Sequence, residues 1–238
     1  MQLLDLTLPS LAENIALDEA LLLRAEEGAG GEVLRLWTWP SFAVVLGAGG
    51  VIADDVDVAA CAADGVPIAR RSSGGGTVLL GPGCFLFSLV LNMDRAPELT
   101  QINSSYRWIL RRVAAALADF QPGIEPMGIS DLAIGGRKFS GNSQQRKRRF
   151  LLHHGTLLHD FDLDAIGRYL KLPPKRPEYR ANRSHRDFLM NLNISPGEII
   201  QALRDEWAAN DSLRDWPEGL VQQLVSDKFG TKDFVWRR

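Results

Sequence analysis

The run Arg70-Arg71-Ser72-Ser73-Gly74-Gly75-Gly76-Thr77 constrains this chain more than any other stretch. Three successive glycines cost backbone entropy and leave no side chains to pack, so they need a reason. They follow an apolar run, 66–69, that reads as a buried strand. The main chain must therefore curl tightly here and come within hydrogen-bond reach of something else. One reading is a plain turn between strands. The other is a cradle for an anion or a carbonyl, lined by main-chain N–H groups, with the arginines as charged clamps. The arginines at the loop entrance favour the cradle, because a simple turn needs neither.

Around this loop the sequence predicts an α+β domain, a mixed β-sheet with helices packed mainly on one face. Strands are expected at 3–8, 33–39, 42–46, 66–69, 77–80, 84–92, 132–134, 138–140 and 150–158, where aromatic and β-branched residues are bounded by Gly and Pro. Helical periodicity or capping signals mark 11–27, 56–63, 101–120, 162–170, 195–209 and 216–230. The tail 234–236 reads as a final strand. Gly135-Gly136 has the form of a two-residue hairpin connection, and 173–186 reads as an irregular basic surface loop. With no repeat and no dividing linker, residues 1–238 are expected to form one domain.

Composition narrows the partners. With 27 Lys and Arg against 29 Asp and Glu, the net charge of −2 gives no global case for nucleic acid or a membrane surface. No signal peptide and no apolar run of bilayer length are read. Two cysteines, Cys61 and Cys84, make no disulfide framework and fit a reducing, cytoplasmic setting. Basic residues concentrate at 137–149 and at Lys175 to Arg186, either to steer an acidic partner protein or as solvated surface.

Two further stretches carry chemistry. Ser130-Asp131-Leu132, then Gly136-Arg137-Lys138-Phe139-Ser140-Gly141-Asn142-Ser143-Gln144, places a lysine beside a hairpin among small and amide side chains. A compact charge on a long stem suits a phosphate or polarised carbonyl, although a solvated hairpin lysine would look the same. His153-His154-Gly155-Thr156-Leu157-Leu158 puts adjacent histidines on a strand, where they face opposite sides and cannot share a metal. One is expected in the core and the other at a cleft.

Together, and in this order, the three stretches resemble the lipoate–protein ligase and octanoyltransferase family, which shares the biotin/lipoate ligase catalytic-domain fold. The resemblance extends to Asn14–Leu21, which looks like the family's first helix, and to 34–47, which looks like the hairpin after it. It implies an enzyme that activates lipoate or octanoate with ATP, accompanied by Mg²⁺, to an acyl-adenylate. The acyl group then passes to the lysine of a lipoyl carrier domain, of a 2-oxoacid dehydrogenase or glycine cleavage H protein. By motif match Lys138 would be the catalytic residue, and Arg71, Ser73, Gly74, Gly75, Gly76 and Thr77 would line the acyl and adenylate site. Asp131, His154, Gly155 and Thr156 would border the same pocket. No protein-held metal site and no tightly bound prosthetic group are implied. The apolar strands at 44–46 and 85–91 would wall a tunnel for the aliphatic chain, whose burial is worth about 0.8 kcal/mol per methylene.

Two departures qualify the resemblance. Ser130 stands where the ligase pattern usually has asparagine, and a serine reaches less far toward a nucleotide. No C-terminal accessory domain of the kind many bacterial ligases carry is expected, so a separate subunit would supply it or the enzyme does without. The rival activity within the family is acyl transfer from a carrier thioester, which needs a nucleophilic cysteine. Cys84 reads as a small core residue instead. A non-catalytic acyl-binding homologue is a further alternative. Biotin ligase is the weakest, since its Gly-Arg-Gly-Arg pattern is absent.

Overall fold

The structure, a computed structural model, describes residues 1–173 and 176–237. In chain order the elements are β1 (Gln2–Asp5), α1 (Leu11–Glu26), β2 (Val33–Thr38), β3 (Ala43–Leu46), α2 (Ile52–Asp55), α3 (Val58–Ala63), β4 (Ile68–Arg70), β5 (Val78–Leu80) and β6 (Cys84–Asn92). There follow α4 (Ile102–Leu117), β7 (Ile124–Met127), β8 (Asp131–Ile134), β9 (Arg137–Arg146), β10 (Phe150–Leu158), α5 (Leu163–Tyr169), α6 (His185–Phe188) and α7 (Pro196–Glu206). The chain closes with β11 (Asp211–Ser212), α8 (Glu218–Leu224), a π-helical turn at Val225–Phe229 and α9 (Lys232–Val235). Pro174 and Lys175, within the expected basic loop, lie outside the described residues.

An eight-stranded mixed sheet runs in the order β11-β1-β2-β6-β10-β9-β8-β7, and a three-stranded sheet in the order β4-β3-β5. The large sheet is built on β6, whose alternation sorts the two cores. Phe85, Phe87, Leu89 and Leu91 point to one hydrophobic cluster, shared with α4 and α7. Leu86 and Val90 point to the other, shared with α1 and the small sheet. The mixed sheet is as expected, but the helices cover both of its faces rather than mainly one. Helix α1 has a firm start: Ser10 and Glu13 form a reciprocal capping box.

Three local expectations fail for physical reasons. Segments 34–37 and 44–47 do not form a hairpin: β2 is flanked by β1 and β6, so it has no free edge, and β3 pairs with β4 and β5 instead. The tail forms α9 rather than a strand, because Thr231 caps it by accepting from the Phe234 N–H. Strand β7 is not announced by the sequence, since Pro126 argues against a strand. It is tolerated because β7 is the sheet edge, where a missing N–H breaks no ladder. The Gly135-Gly136 connection is as read, with φ of 54° and 74° between the paired residues Ile134 and Arg137.

Candidate active site

The three stretches meet at one cavity of about 160 Å³. Arg71, Gly75, Gly76, Thr77, Asp131, Lys138, His154, Gly155 and Thr156 all border it. Ser73 and Gly74 do not, and instead hold the loop from behind. The apolar wall comes from Ile15, Trp37, Val45, Leu80, Leu86 and Phe87, so the expected contribution of 44–46 and 85–91 is joined by α1, β2 and β5. A second cavity, about 580 Å³, shares Gly76, Thr77, Asp131 and Lys138 with the first. It is lined further along by Lys171, Arg176, Arg180 and His185.

The arginines of the glycine loop are buried, Arg70 at 0% and Arg71 at 8% exposure. Arg70 donates to the carbonyls of Gly47 and Gly50 at 3.0 and 2.7 Å. Arg71 donates to the carbonyls of Gly74 and Gly76 at 2.6 and 2.8 Å, and through Nε to Ser73 Oγ at 2.9 Å. These guanidinium groups fold the loop, and Arg71 also borders the cavity. Burial lowers the Arg71 pKa to about 10, which leaves it charged at neutral pH. Of the three glycines, Gly75 alone has a positive φ, 81°.

Beneath the loop runs a chain of hydrogen bonds. Ser73 Oγ lies 2.6 Å from His154 Nε2, and His154 Nδ1 lies 3.0 Å from Asp18 Oδ2. Ser73 Oγ, which accepts from Arg71 Nε, is thereby joined through the His154 ring to Asp18. Asp18 also takes Arg35 at 2.7 Å and Ser88 Oγ at 2.8 Å. Burial opposes its charge, but Arg35 and His154 more than offset this and hold its carboxyl below the ordinary range.

The adjacent histidines divide as their strand position requires. His153, fully buried, contacts Asn142 Oδ1 through Nε2 at 3.2 Å and the Gln144 amide through Nδ1 at 3.1 Å. Burial, and then the neighbouring His154, lower its pKa to about 3, so it is neutral.

Lys138 reaches the cavity by a slip in strand register. Leu132 pairs with Ser140 and Ala133 with Lys138, so Phe139 is an extra residue and enters the core. That bulge shifts the parity of β9, placing Lys138 on the same face as Gly141 and Asp131. Lys138 Nζ sits 2.8 Å from Asp131 Oδ1. A Cβ at position 141 would lie 2.8 Å from that Nζ, so a larger residue there would displace the end of the lysine side chain. The other oxygen of Asp131 accepts from Tyr179 Oη at 2.7 Å, and burial followed by Asp131 raises the tyrosine pKa. Tyr179 thereby ties the basic loop to the site.

Ser130 contributes its carbonyl, which accepts from both the main chain and the side chain of Asn142 at 2.9 Å. Asp18, Asn142 and Ser143 carry no role in the motif reading, yet all three border the cavity. The available signal for Asp18 was its spacing from Asn14: four residues apart in an apolar helix, both polar groups face Arg35. The basic run 146–149 is partly internal, with Arg146 donating to Ser105 Oγ at 3.2 Å and Arg149 to the Glu26 carbonyl. Cys61 and Cys84 are both buried free thiols. Neither borders either cavity; burial raises the Cys84 pKa to about 12 and, with Asp57 and Asp64, raises that of Cys61.

The family model for the lipoyl protein ligase A/B catalytic domain matches residues 10–206, and the chain belongs to this family. Octanoyltransferase LipM of Carboxydothermus hydrogenoformans is 27% identical, the alignment covering 95% of this chain and 94% of that one. Lipoate-protein ligase A subunit 1 of Thermoplasma acidophilum is 25% identical over 93% of this chain and 90% of its own. Among solved structures, a lipoate-protein ligase A bound with ATP superposes with a TM-score of 0.84 at 24% identity, covering 99% of this chain and 98% of that one. The bi-partite lipoate protein ligase of Thermoplasma acidophilum, studied with its E2 lipoyl domain, gives 0.83 at 24% identity over 99% and 95%. These structures share the fold. The protein is thus a member of the lipoyl and octanoyl transfer enzymes, and no helix among its described residues is long and apolar enough to cross a membrane.

Proposed function

We propose that this chain is a lipoate–protein ligase, a single catalytic unit over 1–238 that works in the cytoplasm. It activates lipoate or octanoate with ATP and passes the acyl group to the lysine of a lipoyl carrier domain. The observation that carries this reading is the position of the thiols. Transfer through an enzyme thioester needs a thiolate at the acyl site. Both cysteines are instead buried with raised pKa, and neither borders a cavity.

In this reading the aliphatic chain lies against Trp37, Leu86 and Phe87, with its carboxylate toward Lys138. The nucleotide occupies the second cavity, among Lys171, Arg176 and Arg180. A carboxylate oxygen attacks the α-phosphorus, and the bond to pyrophosphate breaks. The carrier's amine then attacks the carbonyl carbon, AMP leaves, and the amine loses a proton. Lys138 stabilises charge on the carboxyl and phosphate oxygens at both steps. Among the described residues no cluster of three or more ligating side chains exists. Mg²⁺ would arrive on the triphosphate, with Asp131, paired to Lys138, and Asp55 among the carboxylates that border the second cavity. Support also comes from the relatives, one named a ligase and one structure bound with ATP.

The second reading is octanoyl transfer from a carrier thioester, favoured by the name of the LipM relatives. One assay separates them. Apo lipoyl domain is incubated with ATP plus lipoate or octanoate, and in parallel with octanoyl carrier thioester without ATP. Modification only in the ATP arm supports the ligase. Modification only from the thioester overturns it.

A further inference from the structure

Behind the glycine loop lies a segment that the family match does not include. The matched residues end at 206, whereas α8, the π-helical turn and α9 span 218–235. Lys228, on that turn, places Nζ 2.7 and 2.9 Å from the two oxygens of Glu19. Glu19 is 6% exposed and also accepts from Ser72 Oγ, the residue that follows the two arginines. Lys228 lies 4.8 Å from the Phe229 ring centre and 5.2 Å from that of Phe234, and these rings pack edge to face at 5.4 Å. A second grip comes from the main chain of α9, where the Val235 carbonyl accepts from Arg70 Nε at 3.0 Å. A third joins Arg237 to the Ala48 carbonyl.

These contacts fall on two loops that already touch. A Cβ on Gly47 would lie 2.1 Å from the Gly75 carbonyl oxygen, so 47–50 and the glycine loop meet backbone on backbone. The Ala48 N–H donates to the Ser73 carbonyl at 2.8 Å, and the Arg71 N–H to the Leu46 carbonyl at 2.9 Å. Neither loop has a sheet ladder of its own across this contact. Arg71, the Ser73–His154 bond and Ser143 on the Gly74 carbonyl hold the loop from the sheet side, and Arg70, Ser72 and Ala48 are where the C-terminal segment reaches it.

We propose that residues 225–237 are a strap that sets the position of the glycine loop against the acyl cavity, with Lys228 as its positioning residue. Lys228 does not touch the cavity. It acts through Glu19 and Ser72 on the main chain that carries Gly75, Gly76 and Thr77 to the cavity wall. The proposal holds whichever acyl donor the enzyme uses, so its test reads the loop directly.

The experiment compares hydrogen exchange and steady-state kinetics of the full chain with Lys228→Met, Lys228→Arg and Arg237→Ala. Lys228→Met is expected to raise exchange of the 70–77 amides at least tenfold and leave exchange in α4 and α7 at the parent level. KM for the acyl donor the enzyme uses, free acid or carrier thioester, should rise several-fold with kcat nearly kept, and Lys228→Arg should restore the parent exchange and KM. If Lys228→Met proves unstable throughout, Arg237→Ala gives the same readout at 47–50 and 70–77. Faster exchange confined to 218–237, with the 70–77 amides and KM unchanged, overturns the proposal.

Discussion

Replacing Gly155 by alanine tests how tightly the cavity wall is built. An ideal Cβ there would lie 2.0 Å from Asn142 Oδ1, 2.8 Å from its Cγ and 2.9 Å from Phe87 Cε1. Ordinary contact is about 3.5 Å, so Asn142 must move by more than an ångström. It is not free to do so at no cost. Its amide donates to the Ser130 carbonyl at 2.9 Å and Ser140 Oγ at 3.0 Å, and its oxygen faces His153 Nε2 at 3.2 Å. At about 1 kcal/mol for each broken bond, the substitution should cost roughly 3 kcal/mol. For a chain of this size that is a fall of roughly 6–12 °C in Tm. Asn142→Ala alone should cost a similar amount, and the double variant little more than either single change. The expected coupling is at least about 1 kcal/mol, read by denaturant unfolding of all four proteins. An unchanged Tm for Gly155→Ala, or costs that simply add, would refute the account of this wall.

Other outcomes follow from the same geometry. Lys138→Ala should lower pyrophosphate release on the order of 10²- to 10³-fold. Its pair with Asp131 is partly exposed, so unfolding free energy should change by no more than about 1 kcal/mol; release at the parent rate removes Lys138 from the chemistry. Cys84→Ala should keep acyl transfer to the carrier, and loss of transfer with the fold intact would return the thiol to the mechanism. His153 is held neutral, its pKa lowered from 6.5 to about 3. The unfolded chain therefore binds the extra proton between those values, and the stability tied to the neutral ring is complete above 6.5 and lost as pH falls from there through about 3. His153→Gln should flatten the dependence of stability on pH in that window by about 1.4 kcal/mol per unit. Equal slopes in urea titrations at pH 4 to 6.5 would contradict a neutral buried ring.

Much of this was legible from residue types and their order. The three motif stretches do meet, Gly135-Gly136 does close a hairpin, and the adjacent histidines do part between core and cleft. What the sequence hides is the geometry that assigns work to each side chain. Lys138 faces Asp131 because Phe139 drops into the core and slips the strand by one residue, and a two-residue alternation gives no notice of that. Asp18, on α1, is signalled only by its spacing from Asn14, because its partners Arg35, Ser88 and His154 come from three separate strands.

The arginines at 70 and 71 show where such reading stops. A loop that binds an anion and a loop that must be tied to itself both need donors beside glycines, so the residue types are the same in either case. Burial decides between them, and here both guanidinium groups face main-chain carbonyls. The loop therefore brings shape to the cavity and the charge of Arg71 to its wall, while Lys138 stands at the junction and Lys171, Arg176 and Arg180 line the space beyond it.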